Sequence, residues 1–126
     1  MNWLLVACGG AIGACLRYGA GLLIARPTSL FPWVTWSINV LGCFLAGVFF
    51  ALSQRYPALQ NETRLFMMVG IFGGFTTFSS FGLETFQLIR QGQMSMAVMY
   101  SLSSLIVGVL CLAMGFYLFQ ILLKSA

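Results

Sequence analysis

Four long apolar segments follow one another along this chain, separated by short polar stretches. They run from about Trp3 to Ile24, from about Trp33 to Ser53, from a polar start at Asn61 to about Ile89, and from about Met94 to Leu123. A helix needs roughly 20 apolar residues to cross the hydrocarbon core of a bilayer. The pattern therefore predicts an all-α integral membrane protein with four transmembrane helices, in a single domain over residues 1–126.

The polar stretches carry signals that end and begin helices. Arg26-Pro27-Thr28-Ser29 places a helix-breaking proline after the first span, and Arg55-Tyr56-Pro57 ends the second. Asn61-Glu62-Thr63 offers a capping asparagine and an acid in the first turn of the third span. Arg90-Gln91-Gly92-Gln93 is predicted to be a tight turn. Such short loops leave no room for a soluble domain.

Composition supports a chain that lies in lipid. Hydrophobic residues make up 60% of the sequence and charged residues 6%, whereas a soluble domain has about 25% charged residues. The basic residues are scattered rather than clustered on one face, which argues against nucleic acid as a partner. The chain has no histidine, no pair of acids and no cysteine–histidine couple, so an enzyme is not expected.

Cysteines and glycines within the apolar segments are interpreted as packing residues. The cysteines have neither the spacing of a metal site nor that of a disulfide framework, so we expect them to be small buried apolar residues. Glycines in the first two spans suit close helix packing. These residues are Cys8, Cys15, Cys43 and Cys111, and Gly9, Gly10, Gly13, Gly19, Gly21, Gly42 and Gly47.

The charges on the two sides of the membrane nearly balance. An even number of spans puts both termini on the side of Arg55, Arg64 and Lys124, while Arg26 and Arg90 lie on the other side. Three basic residues against two hardly set an orientation under the positive-inside rule. Such a chain can insert both ways and form an antiparallel, dual-topology homodimer. The alternative is an accidental balance with a single topology, and the charges alone leave both interpretations open.

The third span has a poor sequence for an uninterrupted membrane helix. Two adjacent glycines, Gly73 and Gly74, precede four hydroxyl residues, which are Thr76, Thr77, Ser79 and Ser80. Glycine weakens a helix, and hydroxyls offer its backbone other partners. We therefore predict a break near Gly73 to Ser80 at mid-membrane depth, where carbonyls and helix ends can face an ion. The alternative is a kinked, glycine-packed helix whose hydroxyls bond to their own backbone.

Two polar side chains within the first two spans are candidates for an ion path. Arg17 lies two-thirds of the way along the first span. An ionisable side chain within a membrane span indicates a functional site, and the positive charge of Arg17 favours an anion as the ligand. Asn39 lies inside the second span, where its amide can donate two hydrogen bonds. An interhelical clamp is an equally open role for Asn39.

Aromatic and acidic residues follow the predicted break. Phe78 and Phe81 are three residues apart and share a helix face, so their positive ring edges can line a pore for a small anion. Lipid-facing or core rings are the more common case. Glu84 lies on the same face and can accept hydrogen bonds from pore hydroxyls or reach the interface. In the fourth span, hydroxyls that can line a path come from Ser101, Ser103 and Ser104.

Three segments together resemble the Fluc, or CrcB-type, fluoride channels of bacteria. They are Gly9-Gly10-x-x-Gly13-x-x-x-Arg17-Tyr18, Asn39-x-x-Gly42 and Gly73-Gly74-Phe75-Thr76-Thr77-Phe78-Ser79-Ser80-Phe81-x-x-Glu84. The resemblance covers all four spans in order, and the third motif is the most specific. Relatives usually have threonine at the position of Ser80, and Gly108 stands where relatives place another hydroxyl.

The resemblance implies an antiparallel dual-topology homodimer that exports fluoride through two pores by passive electrodiffusion across the bacterial cytoplasmic (inner) membrane. It implies a structural Na⁺ at the dimer centre, held by the backbone carbonyls of Gly73 and Thr76. Arg17 corresponds to the vestibule residue. The residues implied along the fluoride path are Thr35, Asn39, Thr77, Phe78, Ser79, Ser80, Phe81, Glu84 and Ser104.

Two other functions compete with that of a channel. A small multidrug-resistance transporter also has four short helices in an antiparallel dimer, but it needs a carboxylate deep in the first span. This first span has Arg17 and no acid. A structural subunit of a larger membrane complex would use the glycine faces for packing, and only a flux assay separates it from a channel. The partners expected for a channel are fluoride, a second copy of the chain and the lipid bilayer.

Overall fold

The computed structural model describes residues 1–24 and 28–125, and every regular element within those ranges is helical. A short 3₁₀ turn at Pro57–Leu59 links the second and third helices. The helices are α1 (Asn2–Leu23), α2 (Trp33–Arg55), α3 (residues 62–75), α4 (Phe78–Arg90) and α5 (Met94–Ser125). α3 and α4 together form the third apolar segment.

The prediction of four apolar helical spans is confirmed. The helices long and apolar enough to cross a membrane are Asn2–Leu23, Trp33–Arg55, Glu62–Arg90 and Met94–Ser125. The second helix continues two residues beyond its predicted end at Ser53. The helix-ending signal at Arg26 and Pro27, and the charge of Arg26, lie outside the described residues.

The start of α3 differs from the sequence prediction in two ways. Asn61 occupies the capping position, but its side chain makes no capping hydrogen bond, so that part of the prediction is wrong. Its φ of 62° is left-handed, whereas a capping side chain normally reaches the first turn from an extended backbone. Leu65–Phe72 is π-helical, a feature that the hydrophobic pattern did not predict. π-helical turns are rare in proteins, and those that occur are often at functional sites.

Close backbone contacts at glycines join the helices in pairs. A Cβ added at Gly13 of α1 would overlap the carbonyl oxygen of Ile71 in α3, and one at Gly9 would lie 2.5 Å from the carbonyl oxygen of Phe66. In the other pair, a Cβ at Gly47 of α2 would overlap the carbonyl oxygen of Leu112 in α5. The predicted packing role is therefore confirmed for these three glycines.

Other first-span residues do not have the packing environment that we predicted. A Cβ at Gly10 or at Gly19 would meet nothing within 4 Å. Cys8 and Cys15 are exposed rather than buried. Gly10 nevertheless contacts α3 through its backbone, because a Cβ at Gly74 would lie 2.5 Å from the Gly10 carbonyl oxygen. The expectation was therefore wrong for the packing of Gly19 and for the burial of the two cysteines within one chain.

Many large apolar side chains are exposed on the outer surface of this chain. Trp3 is 90% exposed and Leu23 is 88% exposed, whereas Tyr100 is completely buried. An outward apolar surface of this extent suits lipid rather than water. With 32 residues, α5 is about 48 Å long, which exceeds the thickness of a hydrocarbon core of about 30 Å.

Candidate ion site at the interruption between α3 and α4

The helix stops at Phe75 and resumes at Phe78. Between them, Thr76 has φ −78° and ψ 157°, and Thr77 has φ −146° and ψ 114°, so both are extended. Threonine is β-branched and favours extended backbone. Gly73, in contrast, is helical at φ −63° and ψ −37°. The two threonines, rather than the glycines, therefore leave the helix.

The interruption changes the hydrogen bonding of the surrounding backbone. The N–H of Thr76 still donates to the carbonyl of Phe72 over 3.0 Å, and the Thr76 hydroxyl donates to that carbonyl over 2.8 Å. The N–H of Thr77 donates to a side chain instead of to the carbonyl of Gly73. Within the described part of the chain, the carbonyls of residues 73–76 receive no backbone donor.

Asn39 of α2 binds both backbone groups of Thr77. Its Oδ1 accepts from the N–H of Thr77 over 2.8 Å, and its Nδ2 donates to the carbonyl of Thr77 over 3.1 Å. One amide thus satisfies two polar groups that the helix would otherwise have paired. Gly42, one turn further along α2, leaves space for the methyl group of Thr76, which a Cβ there would overlap. The clamp is therefore a role that Asn39 performs in this fold.

The Thr77 hydroxyl caps α4. It accepts from the N–H of Ser80 over 3.2 Å and donates to the Ser80 hydroxyl over 3.1 Å. It also lies 3.3 Å from the hydroxyl of Ser79. A capping hydroxyl supports the first turn of a helix, whose N–H groups favour negative charge. Ser79 itself is exposed and borders neither of the clefts described below.

Glu84 accepts hydrogen bonds from two other helices. The hydroxyl of Thr35 in α2 donates to its Oε1 over 2.7 Å, and the hydroxyl of Tyr100 in α5 donates to its Oε2 over 2.7 Å. The expectation that Glu84 accepts from hydroxyls is confirmed. Tyr100 was not among the residues predicted from the sequence. The feature that could have indicated it is its hydroxyl, which needs a hydrogen-bond partner within an apolar helix.

Two clefts open on either side of the interruption. The larger has a volume of about 550 Å³, and the smaller has about 310 Å³. Of the predicted residues, the larger cleft is bordered by Arg17, Thr35, Thr77, Ser80 and Glu84. The smaller is bordered by Asn39, Thr76, Thr77, Phe78, Phe81, Ser101 and Ser104. The structure thus brings most of the predicted residues together around Thr77, while Gly73 borders neither cleft.

Phe78 and Phe81 lie side by side on α4. Their ring centroids are 5.6 Å apart with planes at 36°, and Phe81 also packs on Tyr100 at 5.2 Å. Phe78 is 85% exposed. The shared face predicted from their spacing is confirmed, and one of the two rings has no cover from its own chain.

The serines of α5 have different surroundings. The Ser104 hydroxyl is buried and has no hydrogen-bond partner in residues 1–24 and 28–125. Ser103 instead accepts from the indole N–H of Trp36 over 3.1 Å. Gly108 is buried, and a Cβ there would lie 3.4 Å from the sulfur of Cys43. The polar lining contributed by α5 to the smaller cleft therefore comes from Ser101 and Ser104.

These features define a multi-pass helical membrane protein with polar clefts at an interruption in its third span. The chain belongs to the CrcB family: residues 4–116 match the family described as CrcB-like protein, Camphor Resistance (CrcB).

Similar proteins named Fluoride-specific ion channel FluC span nearly the whole chain. One protein of that name from Thermus thermophilus is 45% identical over 118 residues, covering 93% of this chain and 94% of its own length. The one from Azobacteroides pseudotrichonymphae is 43% identical, covering 90% and 92%. The one from Methylobacillus flagellatus is 36% identical, covering 97% of each chain.

Proposed function

We propose that this chain forms a fluoride-selective ion channel that exports cytoplasmic fluoride by passive electrodiffusion across a bacterial inner membrane. The observation that carries the proposal is the similarity, over at least 90% of the chain, to proteins named as fluoride-specific ion channels. The clefts around Thr77 agree with it, because they combine hydroxyls, aromatic rings and one arginine.

Passive export is sufficient for protection against fluoride. Hydrogen fluoride crosses membranes as a neutral molecule and dissociates in a cytoplasm near neutral pH, so fluoride accumulates unless an anion exit exists. Moving one elementary charge across the membrane potential changes its free energy by about 2.3 kcal/mol per 100 mV, and the potential drives an anion outward. No coupling ion is needed. The first span, which has Arg17 and no acid, does not favour a proton-coupled exporter of cationic drugs.

Each group around the clefts has a role in this proposal. Arg17 attracts the anion into the larger cleft. Hydroxyl donors replace part of its water, and the positive ring edges of Phe78 and Phe81 replace more of it in the smaller cleft. The buried hydroxyl of Ser104 is a donor that the described fold leaves for a ligand. The hydroxyls of Thr35 and Tyr100 donate to Glu84, so these two hydroxyls are already paired with a carboxylate.

An antiparallel, dual-topology homodimer is part of the proposal. It is supported by the near-balance of basic residues on the two sides of the membrane. It is also supported by one face of α4, where Phe78 is 85% exposed, Ser79 is exposed, and a Cβ at Gly82 would meet nothing within 4 Å. A second copy would cover this face and complete the smaller cleft. A topology reporter fused to the C-terminus is expected on both sides of the membrane, and detection on one side alone would contradict dual topology.

A structural Na⁺ at the dimer centre completes the proposal. The carbonyls of Gly73 and Thr76 receive no backbone donor in the described chain, and carbonyl oxygens are suitable ligands for a hard cation. Because backbone atoms would coordinate, Thr76→Ser is expected to be mild and a bulky residue at Gly73 disruptive. Crystals soaked in thallium or rubidium salts are expected to give an anomalous peak near these carbonyls, and its absence would count against the site.

The direct test is anion efflux from liposomes that contain only the purified protein. We expect rapid fluoride efflux and chloride efflux at the level of empty liposomes. Efflux of neither anion from a folded preparation would reject the channel and leave a packing subunit as the alternative. Efflux of both at similar rates would reject fluoride selectivity alone.

A further inference from the structure

Thr77 stands at the meeting point of the two clefts. Among the described residues that border either cleft, it is the one that both share. Its neighbours separate, since Ser80 borders only the larger cleft and Thr76 only the smaller. Within one copy, a route that joins the clefts at their shared border therefore runs past Thr77.

Hydrogen bonds hold every polar atom of Thr77. Asn39 binds its backbone N–H and carbonyl at 2.8 and 3.1 Å. Its hydroxyl exchanges hydrogen bonds with the hydroxyl and the N–H of Ser80 at 3.1 and 3.2 Å. The residue is only 9% exposed. Swinging this side chain aside would break the cap of α4, so a moving gate is not favoured at this position.

The methyl group is the part of Thr77 that none of these hydrogen bonds requires. We infer that Thr77 is a fixed constriction between the two clefts and that its methyl group limits the rate at which the permeating anion crosses. The hydroxyl keeps the constriction in place, and the methyl group narrows it. This inference rests on the proposed channel function and identifies the residue that sets the rate of that function.

Thr77→Ser is the decisive variant. Serine retains the hydroxyl and is at least as good a helix cap as threonine, so the fold and the thermal stability are expected to be unchanged. Removal of one methyl group should raise the rate of fluoride efflux by about three- to tenfold, equivalent to lowering the barrier by about 0.6 to 1.4 kcal/mol. The rate is measured in liposomes at equal amounts of reconstituted protein.

Two matched variants separate the constriction from a general effect. Thr85→Ser removes a methyl group from the same helix, where the Thr85 hydroxyl donates to the carbonyl of Phe81 over 2.8 Å and the residue borders neither cleft. Its efflux rate should equal that of the wild type. Thr77→Val keeps the volume but loses the cap, so it should melt at a lower temperature without faster efflux.

The outcomes distinguish this inference from the channel function itself. If the wild type conducts and folded Thr77→Ser does not exceed it, the constriction is refuted while the channel stands. An equal acceleration in Thr85→Ser, or acceleration in Thr77→Val, would also refute it. If the wild-type protein carries no fluoride, the channel function fails and the inference fails with it.

Discussion

Replacing Asn39 with leucine tests the clamp at the interruption. The change removes the two hydrogen bonds that Asn39 makes to the backbone of Thr77, at 2.8 and 3.1 Å. Leucine branches at the same carbon and is larger than asparagine, so the change opens no cavity and removes the polar groups. The N–H and carbonyl of Thr77, which is 9% exposed, would then lack their partners.

The magnitude follows from the number of polar groups left unpaired. Each buried donor or acceptor without a partner costs about 1–3 kcal/mol, so the two together cost about 2–6 kcal/mol. Measured interhelical hydrogen bonds in membrane proteins are often weaker, at about 0.6–2 kcal/mol each, which favours the lower part of that range. We therefore expect Asn39→Leu to lower the free energy of unfolding by about 2–4 kcal/mol and to reduce fluoride efflux, because α4 loses its anchor on α2.

The assay is unfolding in detergent, followed on the same preparations by fluoride efflux from liposomes. Gln60→Leu is the matched control, because the Gln60 amide donates to the carbonyl of Ser53 over 3.1 Å from an exposed position. Water can replace that bond, so its loss should cost less than about 1 kcal/mol. Wild-type stability in Asn39→Leu together with lost efflux would refute the clamp and assign the amide to the ion instead.

Three further substitutions test other parts of the structure. Phe78→Ile should strongly reduce fluoride efflux while the protein stays folded, since the ring is 85% exposed within its own chain; wild-type efflux would remove this ring from the mechanism. Gly47→Ala should separate α2 from α5 and lower the melting temperature. Gly19→Ala should leave the melting temperature unchanged, because a Cβ there meets nothing within 4 Å. Equal melting temperatures of the two variants would contradict the packing argument. Tyr100→Phe removes one of the two donors to Glu84. It should lower the free energy of unfolding by about 1.5–3 kcal/mol, because the hydrogen bond involves a charged acceptor. An unchanged unfolding curve would show that this hydrogen bond contributes little.

The interruption illustrates how far the sequence can be read. Glycines and hydroxyls in the third span indicated irregular backbone between Gly73 and Ser80, and the extended residues are Thr76 and Thr77. The sequence suggested that glycine would weaken the helix, but the glycines have helical backbone because Gly74 packs directly on α1, where a Cβ would lie 2.5 Å from the carbonyl of Gly10. Close packing required small residues there, and the threonines supplied the extended conformation.

The four spans could be predicted from the sequence alone, because each apolar segment is long enough to cross lipid as a helix and the polar stretches between the segments are short. The sequence also indicated the residue types of an anion path. Which of those residues meet depends on the tertiary structure. Asn39 became a clamp, Tyr100 joined Glu84, and Ser103 was drawn to Trp36 because α2, α4 and α5 cross at particular heights. Those heights depend on where glycines allow two backbones to touch. The hydrophobic pattern of one segment does not show which residues of a distant segment it will contact.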